Sequence, residues 1–433
     1  MQANHTHTNF EMKLSHAKLY SMILIFIFLV PTFSGVLRIG DTYFGEMIQV
    51  VYITIIFTVF MIININNINN TIVKISLWIS LLFIILIYIS IFRDIQKVII
   101  NDLFEFYRPI YALIIFLTSF LIFWNFRNLR YLCHSYIIII SILSVYALFE
   151  SFGGNIANNI SMFLYKGSKK VLEGKSTGSF SSTYTFASFM IFGGLFTGIY
   201  YLYSKKKLYM ILSIISFLSV ILTQSRSGFI AMIFTFIMIF LLYWKYKNFK
   251  NKIIFYLLST IIISIISVYL IIYYNELKYA LPYLVNGLTI LLEKGVSDTD
   301  GGSFNIRYQQ LIFVYESQKE FPFFGVGIGK EYARLLESYY ALYFYRYGLI
   351  GILISIFIFI TFFILSLRAY NISVKEMEYK SASLFLSMHL WMYSFPIMAL
   401  SSAIHDQVKI ALFFYGGLGV LASFLYNEKK SRG

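Results

Sequence analysis

The feature that most constrains this chain is a recurrence of uninterrupted apolar runs, about twelve of them. Each approaches the roughly 20 residues that a helix needs to cross about 30 Å of hydrocarbon. They fall near 19–37, 47–63, 72–92, 107–124, 132–149, 183–203, 208–223, 228–244, 253–274, 341–366, 382–402 and 408–426. Backbone polar groups inside a bilayer must be satisfied within their own segment or within a closed barrel. Barrel strands alternate apolar and polar residues, so continuous runs exclude a barrel. The sequence therefore predicts an all-α, polytopic membrane protein with about twelve transmembrane helices. Only five prolines in 433 residues suit long helices. The run at 19–36 is followed by no small-residue cleavage site, so it is expected to be a span rather than a removed leader. The single cysteine, Cys133, excludes an internal disulfide and a cysteine metal site.

Charge is scarce, 13% of residues, and it is not spread evenly. Lys and Arg concentrate in the cytoplasmic connections of membrane proteins. With the N-terminus inside and the spans alternating, the inner connections and both termini hold 18 basic and 4 acidic residues. All other positions hold 17 basic and 16 acidic residues. Nearly all of the net +15 is thus a topology signal, and no nucleic-acid partner is needed to explain it. Both termini are expected to be cytoplasmic. No cytoplasmic connection is long enough to house an ATPase, and there is no P-loop.

Among the connections that this orientation places on the outer face are 150–182, 224–227, 275–340 and 403–407. The longest divides the chain into spans 1–9 (residues 1–274), a loop subdomain (275–340) and spans 10–12 (341–433). Residues 277–351 hold Glu293, Asp298, Asp300, Glu316, Glu320, Glu331 and Glu337, mixed with Arg307, Lys330 and Arg334. Short helices are predicted at 282–294, 304–320 and 331–340, the last running toward the tenth span, with an Asp-Gly-Gly turn in 297–303. The loop is rich in Leu, Phe and Tyr, which suits the membrane surface.

Several residues there are able to carry chemistry. Arg226 lies in the tight polar turn Thr223-Gln224-Ser225-Arg226-Ser227-Gly228 between two short spans. A guanidinium with the hydroxyls of Ser225 and Ser227 suits an oxyanion clamp, and a snorkelling interface arginine is the plainer alternative. Arg307 and Gln310 share one helix face, in a clamp or as solvated surface. Glu337 is either a general base or an ion-pair partner of Arg334 or Lys330. Tyr339 and Arg346 follow it into the tenth span. His405-Asp406 is a carboxylate-oriented imidazole or a solvated pair. The Gly325-Val326-Gly327-Ile328-Gly329 cluster lacks the spacing and βαβ context of a nucleotide loop; its glycines suit a tight turn and close backbone approach.

The order of these pieces resembles a known family. Ser176-Thr177-Gly178-Ser179-Phe180-Ser181-Ser182, then residues 222–231 around Arg226, then Arg307, then 322–329, then Tyr347-Gly348-Leu349-Ile350-Gly351 together look like the O-antigen polymerase and O-antigen ligase (Wzy/WaaL) superfamily of bacterial envelope proteins. The resemblance covers roughly the last 260 residues. It implies a membrane glycosyltransferase working at the periplasmic face on undecaprenyl-diphosphate-linked glycans, without a metal, nucleotide sugar or other cofactor. It implies that Arg226 and Arg307 bind the donor diphosphate. Ligases of the family carry a His-Asn pair ahead of the Gly-Leu-Ile-Gly helix, where this chain has Glu337-Ser338. That departure favours a polymerase over a ligase, with Glu337, Arg226 and Arg307 as catalytic residues. Ser225, Ser227, Gln310, Lys330, Arg334, Tyr339, Arg346 and His405 are expected to line the substrate site. Expected partners are lipid-linked donor and acceptor glycans, membrane lipid and a chain-length regulator. A lipid-linked oligosaccharide flippase is the competing class, but a flippase needs charge deep in its spans, and these span interiors are nearly charge-free.

Overall fold

The computed structural model describes residues 47–63, 107–125, 129–166, 175–246, 303–319, 322–327 and 336–432, with scattered positions in 28–43, 74–88 and 285–289. Its helices are α1 (Met47–Ile63), α2 (Tyr107–Asn125), α3 (Arg130–Phe152), α4 (Gly154–Ser161), α5 (Thr183–Ser204), α6 (Lys207–Leu222), α7 (Arg226–Tyr246), α8 (Ser303–Ser317), α9 (Tyr339–Lys375), α10 (Tyr379–Trp391), α11 (Phe395–Ser401) and α12 (Val408–Arg432). One short ladder departs from the all-α expectation: β1 (Arg38–Ile39) pairs antiparallel with β2 (Thr42–Tyr43).

Among the described residues the apolar runs become helices, and five are long and apolar enough to cross a membrane: Arg130–Phe152, Thr183–Ser204, Tyr339–Lys375, Tyr379–Ser401 and Val408–Glu428. Shorter apolar helices occupy Gln49–Val59, Arg108–Phe123, Lys207–Leu222 and Arg226–Leu241. The run at 253–274, and most of the runs at 19–37 and 72–92 and of the expected helix at 282–294, lie outside the described residues.

Hydroxyls inside these helices bond back to the carbonyl one turn earlier, as Ser135, Ser216, Ser219 and Thr197 do. This satisfies a polar group that finds no water in hydrocarbon. Close helix approach relies on small residues: a Cβ on Gly194 of α5 would lie 2.7 Å from the Phe217 ring of α6. The centre is aromatic. Tyr136 of α3 meets Phe192 of α5 at 5.6 Å and Phe413 of α12 at 5.5 Å, both between ring centroids. Trp391 of α10 donates its indole N–H to the Ser188 carbonyl of α5 at 2.8 Å. These contacts hold α3, α5, α10 and α12 as one bundle.

Two expected spans are not single rods. The span expected over 382–402 is α10 and α11 joined by a 3₁₀ turn, Met392–Ser394, with Pro396 in the first turn of α11, where a missing N–H is tolerated. The 37 residues of α9 would extend about 55 Å as a continuous helix, far beyond one bilayer core. They are instead broken at Gly348 (φ 62°, ψ −158°). The tenth span therefore opens at this break rather than at 341. Its preceding turns, 339–347, form a separate piece, and 336–338 are not helical, so the helix expected at 331–340 does not run unbroken into the span.

Candidate functional site

The ends of α3, α5, α6, α7, α9, α11 and α12 that adjoin the expected outer connections gather at one end of the bundle. Contacts between the connections hold them there. The Ser176 N–H donates to the Leu222 carbonyl (3.0 Å), and the Ser181 hydroxyl donates to Gln407 Oε1 (3.4 Å). Buried Lys409 donates its ammonium to the carbonyls of Thr32 (3.0 Å) and Ser179.

Arg226 is the first residue of α7. The Thr223 hydroxyl accepts the Ser225 N–H (3.1 Å), Gln224 takes a left-handed φ of 52°, and Ser225 Oγ accepts the Gly228 N–H (3.2 Å). Ser225 is therefore the cap of α7, with Ser227 Oγ 3.3 Å from it. The turn sets the guanidinium at a helix N-terminus, where unpaired amides and the macrodipole already attract anions.

Arg307 projects from α8, and its Nη2 lies 3.1 Å from Glu337 Oε2. Gln310 does share that face, as its spacing predicts, but it is buried. Its Oε1 accepts the N–H groups of Glu337 (3.2 Å) and Ser338 (3.5 Å). Gln310 thus pins the chain carrying Glu337 to the helix carrying Arg307. Glu337 pairs with Arg307; its two expected partners, Lys330 and Arg334, lie outside the described residues. Arg226 and Arg307 lie near enough for each charge to act on the other. A third cation joins them: burial and the charge of Arg226 hold the Lys175 ammonium below its usual range.

A second network lies one helical turn behind Glu337. Tyr343 donates its hydroxyl to Asp406, 2.8 Å from each carboxylate oxygen, and His405 Nε2 lies 3.2 Å from that hydroxyl. Arg108 of α2 reaches Asp406 at 3.5 Å. His405 is buried, packed edge-to-face against Tyr339 and Phe359 and tilted against Phe414. Burial lowers its pKa; Asp406 opposes the shift and Arg108 adds to it, so the imidazole is neutral at pH 7. Tyr339 is buried too, its ring 4.6 Å from that of Tyr343. His405, Tyr339 and Tyr343 thus form one packed aromatic cluster.

The two glycine stretches meet each other. The N–H groups of Leu349 and Ile350, freed by the break at Gly348, donate to the carbonyls of Pro322 (2.9 Å) and Phe323 (3.2 Å). The Val326 N–H donates to the Tyr345 carbonyl (2.6 Å), which also accepts from Gln318 Nε2 (2.8 Å). A Cβ on Gly348 would sit 2.4 Å from the Phe323 oxygen, and one on Gly325 would sit 2.5 Å from the Arg346 carbonyl carbon and oxygen. The Gly-Val-Gly run is therefore a backbone splint for the broken helix, as close-approach glycines predict, and Arg346 is buried within that joint.

Sequence reasoning passed over Lys175, Glu150, Arg108 and Tyr343. Glu150 carried a signal: a carboxylate at the very end of an apolar run, where an unsatisfied charge is costly. Among the described residues, no group of three or more His, Cys, Asp or Glu side chains is placed to hold a metal ion.

Fold and site together define a polytopic α-helical membrane protein with a cationic cluster at one end. Residues 211–348 match the Wzy_C family model, described as O-Antigen ligase, and the match takes in Arg226, Arg307, Glu337 and the glycine splint. Over those residues the chain is similar to the O-antigen ligase family. A search of curated proteins finds no match.

Proposed function

We propose that the protein is an O-antigen polymerase, a metal-independent inverting glycosyltransferase of the inner membrane. In this reading it joins undecaprenyl-diphosphate-linked repeat units at the periplasmic face. The observation that carries the proposal is that Arg226 and Arg307 lie near enough for their charges to act on each other, both within the stretch that matches the family model. A growing glycan on one lipid diphosphate is the donor. A hydroxyl on the non-reducing sugar of a second lipid-linked unit attacks the donor's anomeric carbon. The bond from that carbon to the diphosphate oxygen breaks, and its electron pair leaves with the lipid diphosphate. Charge then grows on the leaving group, where positioned guanidinium groups contribute most.

The ion pair between Arg307 and Glu337 links donor binding to proton removal. A phosphate oxygen and the Glu337 carboxylate compete for one guanidinium. When the diphosphate takes Arg307, Glu337 is released toward the acceptor hydroxyl and accepts its proton. Inversion follows from the single displacement.

Ligase activity, which transfers the glycan to lipid A-core, is the second reading, favoured by the description of the matched family. The lipopolysaccharide of a deletion strain separates them. Core bearing a single repeat unit is the expected result. Bare core with accumulated lipid-linked polymer overturns polymerase in favour of ligase, and bare core with repeat units held on the cytoplasmic side points to a flippase.

A further inference from the structure

Just behind the cationic cluster lies a buried carboxylate that the proposed mechanism does not use. Glu150, at the end of α3, is 4% exposed. Its Oε2 accepts three hydrogen bonds from consecutive residues of one loop: the Ser176 hydroxyl (3.0 Å), the Thr177 N–H (2.8 Å) and the Gly178 N–H (2.7 Å). Gly178 takes a φ of +54°, which bends the backbone around the carboxylate. The same loop is tied on its other side by the Ser176 N–H to the Leu222 carbonyl, four residues before Arg226. Lys175 is the residue immediately before this doubly anchored point, and its charge and that of Arg226 act on each other.

We infer that Lys175 is the third cation of the anion site, and that Glu150 is a positioning residue that sets Lys175 beside Arg226 by gripping residues 176–178. This inference rests on the diphosphate reading above and assigns that site a specificity. A diphosphate presents charged oxygens on two phosphorus atoms. Arg307 must give up its ion pair with Glu337 to bind a phosphate, which offsets part of its attraction, so the two arginines alone hold the second phosphate poorly. An ammonium, a compact point charge on a flexible stem, reaches the oxygens that a planar fork leaves over. The site therefore prefers a diphosphate to a monophosphate, and Lys175 supplies the preference. Such a preference would favour a glycan-bearing lipid diphosphate over a lipid monophosphate with the same tail.

The test measures binding of farnesyl diphosphate and farnesyl monophosphate to the full-length protein in nanodiscs. Wild type is expected to bind the diphosphate at least tenfold more tightly. Lys175→Ala is expected to lose about tenfold for the diphosphate and less than threefold for the monophosphate, with Lys175→Arg restoring most of the preference. Glu150→Gln is expected to narrow the preference in the same direction. The double variant Glu150→Gln/Lys175→Ala should be no worse than Lys175→Ala alone, because Glu150 acts through Lys175. A general loss of structure would instead weaken both ligands together and would not be rescued by Lys175→Arg. Arg226→Ala is the control for the underlying reading, and it should weaken both ligands. If Arg226→Ala weakens both while Lys175→Ala leaves the preference unchanged, the diphosphate reading stands and the role of Lys175 is overturned. If neither variant changes binding, both fall.

Discussion

The clamp depends on the kind of cation at each position. Arg226 stands at a helix start, where a planar guanidinium adds two parallel donors to the amides already facing outward. Arg226→Lys keeps the charge and loses the fork, so it is expected to lose most activity. Arg226→Ala is expected to cost on the order of 3 kcal/mol of transition-state stabilisation, about a hundredfold in rate, with unchanged accumulation in the membrane. Purified lipid-linked repeat units give the assay. The same assay, run on Glu337→Gln and His405→Ala side by side, assigns the base. Glu337 is partly exposed and paired to Arg307, whereas His405 is buried and its Nε2 faces Tyr343 and Asp406. Glu337→Gln should retain donor binding and lose turnover, because an amide keeps the shape and accepts no proton. His405→Ala should lower stability while the surviving protein still turns over. An inactive but folded His405→Ala beside an active Glu337→Gln would reverse the assignment.

Among the elements, the broken helix α9 governs how the site is built. Its first piece, 339–347, leans on α11 and carries Tyr343 to Asp406, while its second piece crosses the bundle. The joint at Gly348 combines φ 62° with ψ −158°, a region that side-chain-bearing residues avoid at a cost of about 1–3 kcal/mol. An added methyl would also strike the Phe323 carbonyl. Gly348→Ala is therefore expected to destabilise by 3 kcal/mol or more, on the order of the strain and a clash together, and to displace Glu337 from Arg307. Gly154→Ala is the matched control: its φ of +55° is also left-handed, yet nothing lies within 4 Å of its added Cβ. Its cost should stay near 1–2 kcal/mol, about the left-handed penalty alone. Thermal unfolding in detergent compares the two, and equal losses would remove the splint from this account.

For the whole molecule, the question is which compartment the cationic end faces. The opposite end carries Arg130, Lys205, Lys206, Lys207, Lys375 and Lys380, the basic belt expected of a cytoplasmic face. Single cysteines placed at the exposed positions Lys206 and Lys375 should resist an impermeant thiol reagent in intact cells. Those at exposed Ser181 and Glu316 should react. The native Cys133 is buried and adds little background, and replacing it removes that background altogether. Labelling at 206 but not at 181 would invert the protein and remove a periplasmic reaction from consideration.

What the sequence determined by itself is what hydrocarbon imposes locally. An apolar run of about 20 residues must satisfy its own backbone, so helix positions follow from composition without knowledge of neighbours. That Arg226, Arg307, Glu337 and His405 collect at one end was legible from alternating the spans by their Lys and Arg. The close-approach role of the glycines was also legible, since residues able to turn tightly announce themselves. Contacts between distant segments were decided only by the tertiary structure. Nothing in the spacing of Arg307 and Glu337 shows that they pair across 30 residues, or that Gly325 faces Gly348. The hydrogen bond from the Glu337 N–H to Gln310, the contact of His405 with Tyr343 and the ring contact of Tyr339 with Tyr343 are likewise set by packing. Lys175 looked like one more loop charge, and only the grip of Glu150 on the next three residues brings it to Arg226. Helices in a bilayer are specified by their own residues, whereas a site at their ends is specified by which ends meet. That choice belongs to packing across the bundle, where partners lie tens to hundreds of residues apart in the chain.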